Sequence, residues 1–291
     1  MTNQIYSFIP SLACKALWYE VSLTPKPGLV DRFDNGAHHD MNFYTFIDSI
    51  VALSPFFDQY YKAGLNHTDD LPALFSLLRK IGFEAETNML KATHQINTHK
   101  GANFSFALIL GATGYYLKHH KVYYFSPSDT EAILDIVSGM CKHLIEMDFS
   151  HLETKDKLTH GEKLYLSKGI TGIRGEAAAG YPMLRDCLMP FIRENKGLPF
   201  ETLFLRALLM LMSQIEDINL IYRGGYDSWI QIKEETKTLI DKDLDDIALI
   251  DALSDYNKLL IKRYLSPGGA ADVLSLGIFF SLLEDIVISP Y

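Results

Sequence analysis

Asn97, Thr98, His99, Lys100 and Gly101 follow one another between two segments of helical character. A carboxamide, a hydroxyl, an imidazole, an ammonium group and a glycine exceed what a plain reversal of the chain requires. At the start of a helix, unpaired N–H groups and the positive end of the dipole favour an anion, and Lys100 adds a full charge. Two readings follow. Either the corner receives an anion such as a polyphosphate, or Asn97 or Thr98 caps the helix while His99 and Lys100 meet solvent.

Further corners repeat this chemistry. Lys26, Arg174 and Arg223 can neutralise phosphates, and guanidinium offers a fork that matches phosphate oxygens. Gly28, Gly101, Gly175, Gly268 and Gly269 permit close approach of backbone to an anion, with Asn35, Asn219 and Ser266 as neutral polar neighbours. Asp31, Asp40, Glu84, Glu86, Glu176, Asp217 and Asp272 outnumber the cations, a balance suited to magnesium with a polyphosphate. Glu84, Asn88 and Lys91 share one helical face, which is either a solvated surface or a wall of a cation site. His38, His39 and Asp40 lack partners at metal-site spacing, so His38 reads better as a hydrogen-bonding loop residue. Neither a Walker loop, a dinucleotide fingerprint nor a Gly-x-Ser-x-Gly elbow occurs.

Apolar spacing supplies the elements that hold these corners. Helices are expected over Ser11 to Ser22, from Met41 (capped by Asp40) to about Lys62, and from Leu71 to Ala92 with Pro72 in the first turn. Gly101 to Leu117 is a buried helix. Another is expected to start at Ser128 with Glu131 at capping-box spacing. Ser167 to Glu176 reads as a glycine-rich loop, and Tyr222 to Gly225 as a polar corner between helices. Pro199 to Met212, Asp227 to Ile240 and Asp245 to Tyr264 follow as helices, and Ser266 with Pro267 opens a closing apolar one. No segment alternates as a strand would, and no composition break marks a linker. The expectation is an all-α, bundle-like single domain over residues 1–291, of about ten helices, with a site formed by glycine-rich interhelical loops.

The bulk numbers narrow the classes. At 48% hydrophobic and 22% charged, the chain is globular, and a formal charge of −9 argues against nucleic acid or an anionic membrane as partner. Three scattered cysteines suggest neither a disulfide framework nor a metal site, and no basic-then-apolar leader is visible, so a cytoplasmic location is expected.

Longer motifs carry a resemblance. Glu20 to Met41, reading Glu-Val-Ser-Leu-Thr-Pro-Lys-Pro-Gly-Leu-Val-Asp-Arg-Phe-Asp-Asn-Gly-Ala-His-His-Asp-Met, is similar to the opening signature of the triphosphoribosyl-dephospho-coenzyme A synthases. Gly82 to Glu86, Asn97 to Gly101, Gly172 to Glu176, Asp217 to Leu220 with Arg223 to Gly225, and Leu265 to Asp272 resemble its later motifs, in order and over nearly the whole chain. The resemblance implies transfer of the triphosphoribosyl group of ATP to 3′-dephospho-coenzyme A with loss of adenine. The product is the prosthetic-group precursor of citrate lyase or malonate decarboxylase, used downstream by an acyl carrier subunit and its transferase.

On that reading ATP is attacked at C1′ and its triphosphate is a handle. An α linkage in the product, where ATP is β, implies displacement with inversion, a base on one face and help to the leaving group on the other. The base is expected among Asp31, Glu84, Glu86 and Glu176. Lys26, Lys100, Arg174 and Arg223 would bind phosphates, Asp217 with Asp272 or Glu86 would hold magnesium, and His38 or His99 would protonate adenine. A magnesium-dependent ADP-ribose or nucleotide hydrolase and a non-catalytic carrier-binding helical module are the rival classes.

Overall fold

The computed structural model describes residues 8–150 and 152–286. Among these there is no strand, and thirteen α-helices follow one another. They are α1 (Ile9–Ser22), α2 (Phe43–Asn66), α3 (Leu71–Ala92), α4 (Lys100–His119), α5 (Pro127–Met140), α6 (Leu144–Phe149) and α7 (His160–Lys168). The second half holds α8 (Ile173–Ala178), α9 (Met189–Glu194), α10 (Phe200–Gln214), α11 (Ile218–Ile240), α12 (Asp246–Lys262) and α13 (Gly268–Leu283). A π-helical turn over Met183–Leu188, preceded by Pro182, joins α8 to α9.

The centre is α4, whose residues from Ala102 to Leu117 are buried at nearly every position. An all-round apolar helix needs neighbours on every side, and α2, α3, α5 and α13 supply them. Contact with α2 is close because glycines stand where the helices cross. A Cβ on Gly64 would lie 1.8 Å from the Gly111 carbonyl oxygen, and one on Gly114 would lie 2.1 Å from that of Tyr61. The other apolar helix, α13, packs on α1, α4 and α10, so the first and last helices meet beside α4. That meeting brings the loop after α1 to the starts of α4 and α13.

Several helix starts differ from expectation for local reasons. Asn42, not Asp40, caps α2, in a reciprocal box with Thr45. Ser126, not Ser128, caps α5, because Pro127 takes the first helical position and Asp129 completes the box. The Gly172 to Glu176 segment is not a loop, since α8 begins at Ile173. The Tyr222 to Gly225 corner lies inside α11, where Gly225 breaks the helix with φ 83°. Ser266 does not cap α13, whose cap position is Pro267. Asp70 and Asp245 cap α3 and α12. No helix among the described residues is long and apolar enough to cross a membrane.

Candidate active site

A cleft of about 520 Å³ opens where the loop after α1 meets the starts of α4, α11 and α13. Of the residues singled out by sequence, Lys26, His38, Asn97, Thr98, His99, Lys100, Gly101, Asn219, Arg223, Ser266, Gly268, Gly269 and Asp272 line it. Three helix N-termini thus face one space, each with its share of positive dipole.

Two aspartates organise this convergence. Asp217 caps α11 through the N–H groups of Asn219 (2.9 Å) and Leu220 (3.1 Å), and its second oxygen accepts from Ala270 N–H (3.1 Å) in α13. Gly269 N–H also bonds to it. It therefore joins two helix starts and stands behind the cleft wall, and burial lifts its carboxyl to about 6. Asp272 reaches α4, accepting from Ala102 N–H. Gly101 makes this approach possible, because a Cβ there would lie 1.9 Å from Asp272 Oδ2. Burial, then the neighbouring Asp217 and Glu20, push the Asp272 carboxyl well above the usual carboxylate range.

Glu20 and Lys26 form a buried ion pair in the same wall. Burial raises the Glu20 carboxyl, and Lys26 opposes that shift. Lys26 is thus not a free phosphate ligand: its charge balances Glu20. His99 is 3% exposed, and its Nδ1 lies 2.7 Å from Ser49 Oγ. Burial, and secondarily Lys26, lower its imidazole to about 3. His38 stands between Arg223 Nη2 (3.0 Å from Nδ1) and Ser266 Oγ (2.9 Å from Nε2). Arginine only donates, so Nδ1 accepts and Nε2–H donates to Ser266. Burial and then Arg223 lower His38 to about 4, which makes it neutral near pH 7. Arg223 also donates to the carbonyls of Ala37 (3.0 Å) and Tyr264 (3.4 Å), tying two loops while keeping N–H groups to spare.

The remaining sequence-selected residues lie elsewhere. Asp31 is buried and accepts from the N–H groups of Lys26, Phe33 and Asp34, so it staples its own loop. Gly28 packs on Leu265 with φ 73° and donates to Asn257 Oδ1, and Asn35 is exposed. Glu84 is exposed on α3. Glu86 holds Lys100 Nζ at 2.6 Å, outside the lining residues. Arg174 Nε binds Asp148 at 2.7 Å, and Arg79 takes the other oxygen of the same carboxylate. Gly175 packs on Thr171, and Glu176 accepts from Met183 N–H at 3.0 Å. None of the four carboxylates expected to include the base lines the cleft.

The lining adds groups that sequence reasoning passed over. Glu20 is chief among them, and its signal was available: it continues the buried stripe of Ala13, Ala16 and Leu17 on α1. Glu216 is a second such carboxylate, beside Asp40, which the sequence singles out, and His160 with Tyr222 form an aromatic pair 3.8 Å apart between centroids. Asn97, meanwhile, both lines the cleft and accepts from Lys100 N–H at 3.2 Å, so capping and lining coexist.

A cleft of this size, with helix starts, cations and two raised carboxyls, is that of an enzyme acting on an anionic small molecule. Residues 7–289 match the profile of the ATP:dephospho-CoA triphosphoribosyl transferases. The chain belongs to that family, the triphosphoribosyl-dephospho-CoA synthases, and its activity is that of a transferase. It is 50% identical over 294 residues to a protein of Streptococcus mutans named "Probable 2-(5''-triphosphoribosyl)-3'-dephosphocoenzyme-A synthase", covering 98% of this chain and 99% of that one. A protein of the same name from Streptococcus pyogenes serotype M49 is 50% identical over 295 residues, with 99% and 100% covered. A crystal structure from Archaeoglobus fulgidus assigned as a triphosphoribosyl-dephospho-CoA synthase matches with a TM-score of 0.48 and 16% identity, over 82% of this chain and 98% of that chain.

Proposed function

We propose that this cleft binds ATP and 3′-dephospho-CoA together and transfers the triphosphoribosyl group from the first to the second. In the step, a hydroxyl oxygen of dephospho-CoA attacks C1′ of ATP, the bond from C1′ to adenine breaks, and the new C1′–O bond forms on the opposite face. The hydroxyl proton goes to a protein base, and adenine leaves with a proton taken from a protein acid. The triphosphate stays whole. Its grip falls to Arg223 and Lys100, aided by the dipoles of three helix starts and by Asn219, Ser266 and Gly268.

Glu20 and Asp272 are the carboxyl groups suited to the proton transfers. They replace Asp31, Glu84, Glu86 and Glu176, whose oxygens serve loop, solvent, Lys100 and backbone instead. Two carboxyls whose surroundings drive them apart divide into an acid and a base. Burial raises Glu20 as well, but its ion pair with Lys26 opposes that shift, so Glu20 is the one assigned as base. Asp272 has two carboxylates for neighbours and holds its proton, which makes it the acid toward adenine. His38 and His99 are neutral near pH 7 and do not supply that proton.

Magnesium fits best as part of the incoming ATP. Asp217 is committed to backbone N–H groups of two helices, Asp272 to Ala102, and Glu86 to Lys100. Among the described residues, no three His, Cys, Asp or Glu side chains come together as metal ligands. Magnesium commonly binds through phosphates, waters and one or two carboxylates. When present it would neutralise triphosphate charge, and Glu216 and Asp40 are the cleft carboxylates it would meet. The product would then serve the acyl carrier subunit of citrate lyase or malonate decarboxylase and the transferase that loads it, in the cytoplasm.

The observation that carries the proposal is the meeting of Arg223, Lys100, Glu20 and Asp272 at one cleft from four distant parts of the chain. Purified protein incubated with ATP, magnesium and dephospho-CoA should yield the triphosphoribosyl adduct by mass spectrometry, one adenine being released per adduct. Adenine released without dephospho-CoA, or ADP-ribose cleaved instead, would favour the hydrolase. Failure to bind ATP would favour the carrier-binding module.

A further inference from the structure

His99 is fixed on one side and unmet on the other. Phe46 packs edge-on against its ring at 4.8 Å between centroids, and Nδ1 faces Ser49 Oγ on α2. Thr98 Oγ1 donates to the same Ser49 oxygen at 2.7 Å, which leaves the Ser49 proton for His99 Nδ1. A neutral imidazole that accepts at Nδ1 carries its own proton on Nε2. Yet Nε2 is buried and has no hydrogen-bond partner among the described residues. Buried donors are rarely left unpaired, and an exception calls for a function.

The surrounding charges say what kind of acceptor fits. Lys26 is balanced by Glu20, and Asp272 lies in the same wall, so a phosphate here would face two carboxyl groups. An uncharged lone pair would not be repelled. Resting on the transfer reading of the cleft, we propose that His99 donates Nε2–H, as a neutral imidazole, to an oxygen or ring nitrogen of the nucleoside part of ATP. Ser49 is the positioning residue that fixes this tautomer. Burial, which holds His99 at about 3, agrees with a ring that donates as the neutral imidazole.

The test uses the full chain labelled with ¹⁵N-histidine, with the His99 signals assigned by their loss in His99→Gln. Between pH 6 and 8 the Nε2-protonated tautomer is expected, with no titration. ATP and adenosine should each shift the Nε2–H resonance, and tripolyphosphate alone should leave it in place. A ring that titrates near its ordinary value, an Nδ1–H tautomer, or a resonance moved by tripolyphosphate but not by adenosine would overturn the proposal. Turnover adds a second arm. His99→Gln, whose amide nitrogen reaches the Nε2 position, should stay within about tenfold of the parent, whereas His99→Asn should fall on the order of 10²-fold. Ser49→Ala should give mixed tautomers and a partial loss. If the parent makes adduct and no variant is slowed, this inference fails while the transfer reading stands. If the parent makes no adduct, the transfer reading fails, and the adenosine shift still decides the role of His99.

Discussion

The wall formed by α1, α4 and α13 and the start of α8 carry the same kinds of side chain and use them differently. Each sets a basic residue, a carboxylate and a glycine beside a helix N-terminus. In the wall, Glu20, Lys26, His99 and Asp272 border open space, and His99 keeps a ring nitrogen that no described neighbour takes up. At α8, Arg174 shares Asp148 with Arg79, Glu176 is taken by Met183 N–H, and Gly175 packs on Thr171. The second set is saturated from within. A polar motif thus becomes a site only where packing leaves its groups unsatisfied.

The largest effect expected from breaking this contrast is on stability. Lys26→Met strands the Glu20 charge in the interior, and loss of one partner of a buried pair costs about 3–5 kcal/mol. Denaturant titration should show the midpoint falling accordingly, and Lys26→Met with Glu20→Gln should recover part of the loss. Asp217→Ala comes next. It uncaps α11 and α13 together, at about 0.5–2 kcal/mol per cap, and thermal melting measures it.

A smaller effect is the pH dependence of His38. Burial and Arg223 hold it at about 4 against the ordinary 6.5. The unfolded chain takes up a proton in this window that the folded chain refuses. Stability should therefore fall as pH drops from 6.5 toward 4 and be indifferent to His38 above it. At most this is about 1.4 kcal/mol per pH unit. His38→Asn should flatten the melting-temperature profile over that window. Least of all should Arg174→Met and Glu176→Gln slow turnover, both staying within about threefold. The half-exposed Arg174 pair should contribute about 0–1 kcal/mol to folding. A large rate loss in either would put α8 back in the site.

What the chain revealed of itself follows from the reach of each signal. Helix interiors are local, so Leu71 to Ala92 and the helix begun at Asp245 were readable. Ser126 was misplaced by two residues because Pro127 and Asp129 together outweigh the later serine. The helix-start corners of the cleft were legible for the same reason, Asn97 to Gly101 above all. Arg174 was not, since Asp148 lies 26 residues upstream and nothing local announces the pairing. Glu20 passed unnoticed inside the helix expected over Ser11 to Ser22, although a carboxylate on its buried face demands a partner.

The most direct test of the cleft wall as the reacting centre is single-turnover adenine release by Asp272→Asn, which keeps an acceptor for Ala102 N–H. With both substrates bound at parental affinity and the melting temperature held, release should slow by about 10²–10⁴. Release at the parental rate from that folded, substrate-loaded variant would contradict the account.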